Sequence, residues 1–323
     1  MEIRIIGKEY FKETLDLFNR VFKRSEDEAF WENKHYNNPV GNSVFVGMFD
    51  GEELIAINAF SPMEYIYKDE KYRVLQSCES AVDDRYRKQG IFSKLIIFAE
   101  KWASDNGYDF LIGMPNIYSY PGFVKLGWKV VSSKEVYARI VDYKAWKERK
   151  KVIGRRPLAD ALMTWNYCIN LVGSGLTDVE IKQLSHEEFI ELGCFKNDKI
   201  YCNYTREYLD WKMDSAGNFW KINNSKSTVV VGLYNGIIVF FDAKDSSDDD
   251  CIALMKYFCK KNPMKKIMLT SSELYLRGSE DIAKKCRFIS KREAPAYIIA
   301  KPVSDRAAAI SETEWGIRSL EGV

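Results

Sequence analysis

Arg87, Lys88 and Gly90 stand in the run from Val82 to Leu95, and their types and spacing suit the holding of a phosphate. The residues before them, Val74 to Val82, read as a strand, and Leu95, Ile96, Phe98, Ala99 and Trp102 fall near helical spacing. The turn between therefore delivers backbone N–H groups to a helix N-terminus. Those groups and the positive end of the helix dipole favour an anion. Gly90 admits close backbone approach, and Arg87 and Lys88 add charge. Taken alone, an ordinary strand-to-helix connection with a solvated basic face fits the same residues.

The segments around this turn follow an ordered pattern. Tyr108 to Met114 is a short apolar run opened by Asn106-Gly107 and closed by Pro115, as a buried strand is. Asn116, Ser119, Tyr120 and the run Pro121 to Lys129 come next. In this order of turn, helix, strand, Asn and Gly-aromatic turn, the segment resembles the GNAT superfamily of N-acetyltransferases. That family's acetyl-CoA pyrophosphate loop reads Gln/Arg-x-x-Gly-x-Gly/Ala. Arg87 and Gly90 match the first residue and the first glycine, while Phe92 departs from the small last position.

The resemblance implies a mixed α/β (α+β) central sheet flanked by helices, with acetyl-CoA as acyl donor. Its pyrophosphate would lie on the N–H groups of Lys88, Gln89, Gly90, Ile91, Phe92 and Ser93, beside Arg87. Its pantetheine and thioester would contact Ala81 and Val82, and Asn116 would face it across splayed strands. Acetyl transfer to an amine also needs a neutral nucleophile, a route for its proton and a proton for the departing thiolate. Glu79, two residues before Ala81, shares a face with it if the strand is regular and is a candidate base; a solvent-facing or salt-bridged residue is the plain alternative. The family's usual acid lies four residues before the glycine, where Phe123 stands without a proton to give. Tyr118 and Tyr120 are candidate acids, Tyr120 favoured by position, with aromatic packing as their alternative. Phe30, Trp31 and Tyr36 fall where the acceptor cleft is expected, or simply in the core.

Composition bounds the remaining possibilities. With 323 residues the chain exceeds one comfortable core, so two domains are expected. A formal net charge of +2 leaves no footprint for general nucleic-acid binding. The N-terminal run Met1 to Gly7 is too short and polar for a signal peptide, and no stretch has the length of a membrane span, so a cytoplasmic protein is expected. Seven scattered cysteines and two histidines, His35 and His186, give no metal spacing and no nucleophilic triad, and no metal is expected.

Two internal similarities suggest duplication. Val44 to Gly51 recurs as Val229 to Gly236, each a strand ending in Asp-Gly or Asn-Gly, the chemistry of a tight hairpin. Upstream, Phe30 to Lys34 recurs as Tyr208 to Lys212. The expected organisation is two tandem GNAT-like copies: a cofactor domain at 1–145, a connector at 146–175, a degenerate copy at 176–302 and a tail at 303–323. Where the first half offers Arg87, Lys88 and Gly90, the second offers Asp245, Asp248, Asp249 and Asp250, which would repel a pyrophosphate. The basic connector beside an apolar run fits a packed linker helix or contact with an anionic membrane surface.

Three functions remain open on the sequence. One is an acetyl-CoA-dependent N-acyltransferase for a small amine such as an amino sugar, sugar nucleotide, aminoglycoside or amino acid. Another is a Fem-like transferase using another activated donor. The third is a non-catalytic CoA-binding protein that kept the fold. The basic Gly turn favours the first over the second, because an aminoacyl-tRNA donor needs no pyrophosphate cradle.

Overall fold

The computed structural model describes residues 1–134, 136–139, 178–193, 196, 198–213, 219–234, 237–242, 250, 253–254, 257–258, 268–271, 289–290 and 296–316. The first part runs β1 (Glu2–Ile6), α1 (Phe11–Phe22), α2 (Glu28–Tyr36), β2 (Val44–Asp50), β3 (Glu53–Tyr67), β4 (Glu70–Val82), α3 (Ile91–Asp105), β5 (Phe110–Gly113), α4 (Tyr120–Lys125) and β6 (Lys129–Lys134). There follow β7 (Val136–Arg139), β8 (Glu180–Leu184), α5 (His186–Leu192), β9 (Tyr201–Cys202), α6 (Arg206–Lys212), β10 (Phe219–Asn223), β11 (Thr228–Tyr234) and β12 (Ile237–Asp242). The last are β13 (Met268–Ser271), β14 (Ile289–Ser290), β15 (Ala296–Pro302) and α7 (Asp305–Ala309).

Among the described residues the strands form two mixed sheets. The first has the order β1-β2-β3-β4-β5-β15-β6, antiparallel throughout except for the parallel pair β4 and β5. Side-chain alternation along β2 shows how it is sandwiched. Phe45 and Phe49 pack with Leu15, Leu17, Phe18 and Trp31 of α1 and α2, while Val46 and Met48 pack with Leu95, Ile96 and Ala99 of α3. The expected α/β class, a mixed central sheet flanked by helices, is what the structure shows.

The expected boundaries need correction at β15. Residues 296–302 were assigned to the second unit, yet β15 lies between β5 and β6 of the first sheet. Nor is the segment after it a loose tail. Arg306 Nε donates to Asp109 Oδ1 at 2.7 Å, Ser304 Oγ donates to the same oxygen at 2.9 Å, and buried Trp315 packs edge-on against Tyr65 and Phe110. The physical cause is that β5 is buried along its whole length and pairs with β4 on one side only, so it takes its other neighbour from distant sequence. In return, β7 follows directly from β6 but pairs with β13 and β14 in the second sheet. Each sheet thus holds a strand that continues from the other.

The second sheet has the order β14-β7-β13-β12-β11-β10-β8, and only β12 and β13 are parallel. Its succession of pair directions, read from β8, is that of the first sheet read from β1. This position-by-position match sets β11 opposite β3, not β2, so the sequence likeness around Gly47 and Gly232 reflects repeated turn chemistry rather than equivalent places. The connector at 146–175, residues 243–249 of the acidic segment and the Asn235-Gly236 turn lie outside the described residues. No helix among the described residues is long and apolar enough to cross a membrane.

The second unit also abuts the first at a useful place. Residues of β8, α5, β9 and α6 share one buried cluster with β3, β4 and β5, including Tyr65, Phe110, Phe189 and Tyr208. Trp211 Nε1 of α6 donates to the Asn33 carbonyl at 2.8 Å, which braces the last turn of α2. β3 runs on past Phe60, the partner of Val44 at the start of β2, pairing with β4 as far as Tyr67 and with β9 at Tyr65 and Ile66.

Candidate active site

β4 and β5 pair only from Val74 to Ser77, after which β4 runs on to Val82 with β3 alone as its neighbour. The opening so formed is a cleft of about 1010 Å³. At one end lie Arg87, Lys88 and Gly90; along its floor lie Gln76, Cys78 and Glu79; Phe22 and Lys34 form part of one wall and Asn116 and Tyr118 part of another.

The loop is built to present backbone donors. Asp83 accepts from Arg85 Nε and N at 3.0 Å each and from Arg20 Nη2 at 2.9 Å, and Arg85 also binds Glu53. The hydrogen bonds from Arg85 hold the buried Asp83 carboxyl well below the ordinary carboxylate range. This network fixes the chain just before Lys88, at φ +63, and Gly90, at φ +72. α3 then starts from Gly90 with no side chain capping its first turn and no acidic residue in it. A Cβ on Gly90 would meet nothing within 4 Å, so the glycine is required by its backbone angle and the space before it is open. An uncapped fifteen-residue helix, an open approach and two adjacent cations fit a pyrophosphate.

Glu79 owes its position to a bulge. Asn58 pairs with Ser80 and Ala59 with Cys78, which leaves Glu79 as an extra residue at φ +23. Buried Asn58 spans it, donating to Ser77 Oγ at 3.1 Å and accepting from Ser80 Oγ. The strand is therefore not regular here, and strict alternation with Ala81 does not describe where Glu79 points. Its carboxylate is bound by Lys34 Nζ, and its second oxygen lies 3.6 Å from His35 Nε2. His35 Nδ1 in turn lies 3.0 Å from Ser43 Oγ, and Cys78 Sγ falls within the same cluster. Burial alone pushes the Glu79 carboxyl up, but Lys34, His35 and the hydrogen bonds from Cys78 and Lys34 outweigh it and hold it below its ordinary value. Burial lowers His35 to about 4, so the ring is neutral at neutral pH and Lys34 is the cation that keeps Glu79 ionised.

The family whose model matches residues 2–131 is described as an acetyltransferase (GNAT) domain. Residues 2–131 thus match a GNAT acetyltransferase domain. Solved structures agree on the fold across both sheets. A probable N-acyltransferase from Enterococcus faecalis V583 matches at 13% identity and TM-score 0.63, covering 95% of this chain and 74% of that one. A GCN5-related N-acetyltransferase from Kribbella flavida matches at 12% and 0.59, covering 95% and 72%. Eis1 from Mycobacterium abscessus matches at 12% and 0.56, covering 96% and 75%. No curated protein matches the chain.

Against the GNAT expectations the tyrosines sort themselves. Tyr120, the nearer to the family's acid position, opens α4 and stacks on Tyr297 of β15 at 4.8 Å, and it is not among the residues that line the cleft. Tyr118 lines the cleft and is 86% exposed. Asn116 lines the cleft too, but its carboxamide oxygen accepts from the Tyr118 and Ser119 N–H groups at 2.9 and 3.0 Å, so it shapes the turn that carries Tyr118. Phe92 packs edge-on over Phe123 at 5.0 Å, and a Cβ on Gly122 would come within 2.9 Å of its ring. The bulk that the GNAT loop pattern excludes is accommodated by a glycine on α4. Ala81 is fully buried under α1 and α2, while Val82 lines the cleft. Trp31 is likewise core; Phe30 is exposed and stands 5.7 Å from Lys34 Nζ. Lys34, His35 and Cys78 escaped the sequence reading as neighbours of Glu79 because only the bulge and the α2 packing bring them to it, and Gln76 shares the cleft lining with Lys34 and Cys78.

Proposed function

We propose that this protein is an acetyl-CoA-dependent N-acyltransferase that acts on the amine of a small molecule such as an amino sugar, sugar nucleotide or aminoglycoside. The observation that carries the reading is the open, uncapped start of α3 at Gly90 in the same cleft as Glu79. Acetyl-CoA, when bound, supplies the activated thioester carbonyl. Arg87 and the N–H groups from Lys88 to Ser93 hold its pyrophosphate, and the β4 edge at Val82 guides its arm toward the bulge. Glu79 takes a proton from the acceptor ammonium, and the Tyr118 hydroxyl returns one to the departing sulfur. The structural neighbours described as N-acetyltransferase and probable N-acyltransferase support this reaction class.

In this reading the second sheet is a degenerate tandem copy without its own cofactor, supported by the matching pair directions and by Asp245, Asp248, Asp249 and Asp250 in the segment where a basic turn would be needed. Scattered cysteines, an odd seven in all, support a cytoplasmic setting. Acetyl-CoA is expected to raise the melting temperature, since a ligand at a hundred times its Kd adds about 2.7 kcal/mol, and an amine panel should release free thiol above the hydrolysis background. No melting shift at millimolar acetyl-CoA would overturn the proposal.

The two tyrosines give a sharper check. Tyr118→Phe is expected to lower turnover by about tenfold or more, within the range of general acid catalysis, with the acetyl-CoA shift unchanged. Tyr120→Phe should keep full turnover, because the ring stacks on Tyr297 with or without its hydroxyl. The reverse pattern would return the acid role to Tyr120.

A further inference from the structure

Gln76 sits on β4 in the last stretch before the strands part, level with Ser61 of β3 and Ile112 of β5. It is 2% exposed and lines the cleft, and its Oε1 has no hydrogen-bond partner among the described residues. A buried amide oxygen without a donor bears its full desolvation cost, so a sequence gains nothing by keeping it unless something else supplies the donor. Glu79 Oε2 is a second buried oxygen without a hydrogen bond among the described residues, and its neighbour at 3.6 Å, His35 Nε2, likewise lacks one. Strand alternation places Gln76 on the same face as Cys78, and the bulge brings Glu79 to the cluster that Cys78 shares with His35. Two orphaned acceptors therefore stand on one face of the cleft floor, away from the phosphate loop.

The other Glu79 oxygen already holds a primary ammonium, that of Lys34. Resting on the N-acyltransferase reading above, we propose that Gln76 Oε1 and Glu79 Oε2 form a two-acceptor seat for the reacting nitrogen, which makes Gln76 a specificity residue for primary amines. A primary ammonium has three N–H groups, so once Glu79 has taken one proton the neutral amine still places an N–H on each oxygen with its lone pair facing the thioester carbonyl. A secondary ammonium has two. Its neutral amine keeps one, so one buried oxygen then stays unpaired.

The test uses the full chain with acetyl-CoA and pairs of primary alkylamines and their N-methyl counterparts, read by thiol release, alongside thermal melts. The wild type should prefer the primary member of each pair by about tenfold or more in kcat/KM, the range of a lost hydrogen bond to a charged group. Gln76→Leu should raise KM for the primary amine by a similar factor with a smaller change in kcat. Its melting temperature without ligand should hold or rise, because an unpaired polar atom has been removed, and its acetyl-CoA shift should persist. If Gln76→Leu does not fold, Gln76→Met carries the same expectation with a closer shape. Unchanged KM, equal rates on both members of each pair, or an acetyl-CoA shift with no amine consumed would overturn the seat and leave the cofactor reading standing. Loss of the acetyl-CoA shift in the wild type would overturn both.

Discussion

Replacing Arg87 and Lys88 together by glutamate is expected to abolish the stabilisation that acetyl-CoA confers. Neither cation is committed to the fold. Arg87 is half exposed and among the described residues pairs only with Asp84 at 2.6 Å and the Val82 carbonyl at 3.4 Å, and the core-facing work of the loop is done by Asp83, Arg85 and Arg20. The double variant should therefore melt close to the wild type without ligand. With ligand, two charges will have been reversed beside a pyrophosphate, a change of four units, and the roughly 2.7 kcal/mol available at a hundred times Kd should disappear. The readout is a pair of melts, with and without millimolar acetyl-CoA. A retained shift would show that the phosphates lie elsewhere and would remove the assignment of the loop.

The loop was legible in the sequence because its features are local. A basic pair, a glycine at a helix start and an apolar helix behind it lie within a few residues, and backbone angle and helix dipole do the rest. α2 and α6, whose sequences resemble one another, each precede the second strand of their sheet. What the sequence left unread is non-local. Nothing in Ala296 to Pro302 says that its neighbours are β5 and β6, since an apolar strand pairs with any edge that suits its register. The bulge at Glu79 needs Asn58 from another strand to bridge Ser77 and Ser80, so counting along β4 alone mistook where the carboxylate points. Nearness in sequence favours Tyr120 over Tyr118, whereas in the structure Tyr118 lines the cleft and Tyr120 stacks on Tyr297.

Glu79→Gln is expected to cut turnover by about a hundredfold to ten-thousandfold, the usual contribution of a positioned base, while the acetyl-CoA shift remains. The variant will also lose stability, because it takes the Glu79 carboxylate away from the Lys34 ammonium, which is only 13% exposed. Stability and catalysis can be separated by Lys34→Met/Glu79→Gln, which removes both charges and should recover the melting temperature without recovering turnover. The pH dependence follows from the same pair. Glu79 is held below its ordinary value in the fold, so its contribution to stability is present above the unfolded-state value and is lost as pH falls through the folded one. His35 adds to the acid sensitivity. Its folded value of about 4 lies below the unfolded one near 6.5, so the unfolded chain binds the extra proton and stability declines between those values. In Lys34→Met the attraction that offsets burial is gone, and Glu79 should rise. The acid limb of kcat/KM is then expected to move to higher pH, with a steeper loss of rate below neutrality. Glu79→Gln with undiminished turnover, or an acid limb that stays in place in Lys34→Met, would show that the proton leaves the acceptor by another route.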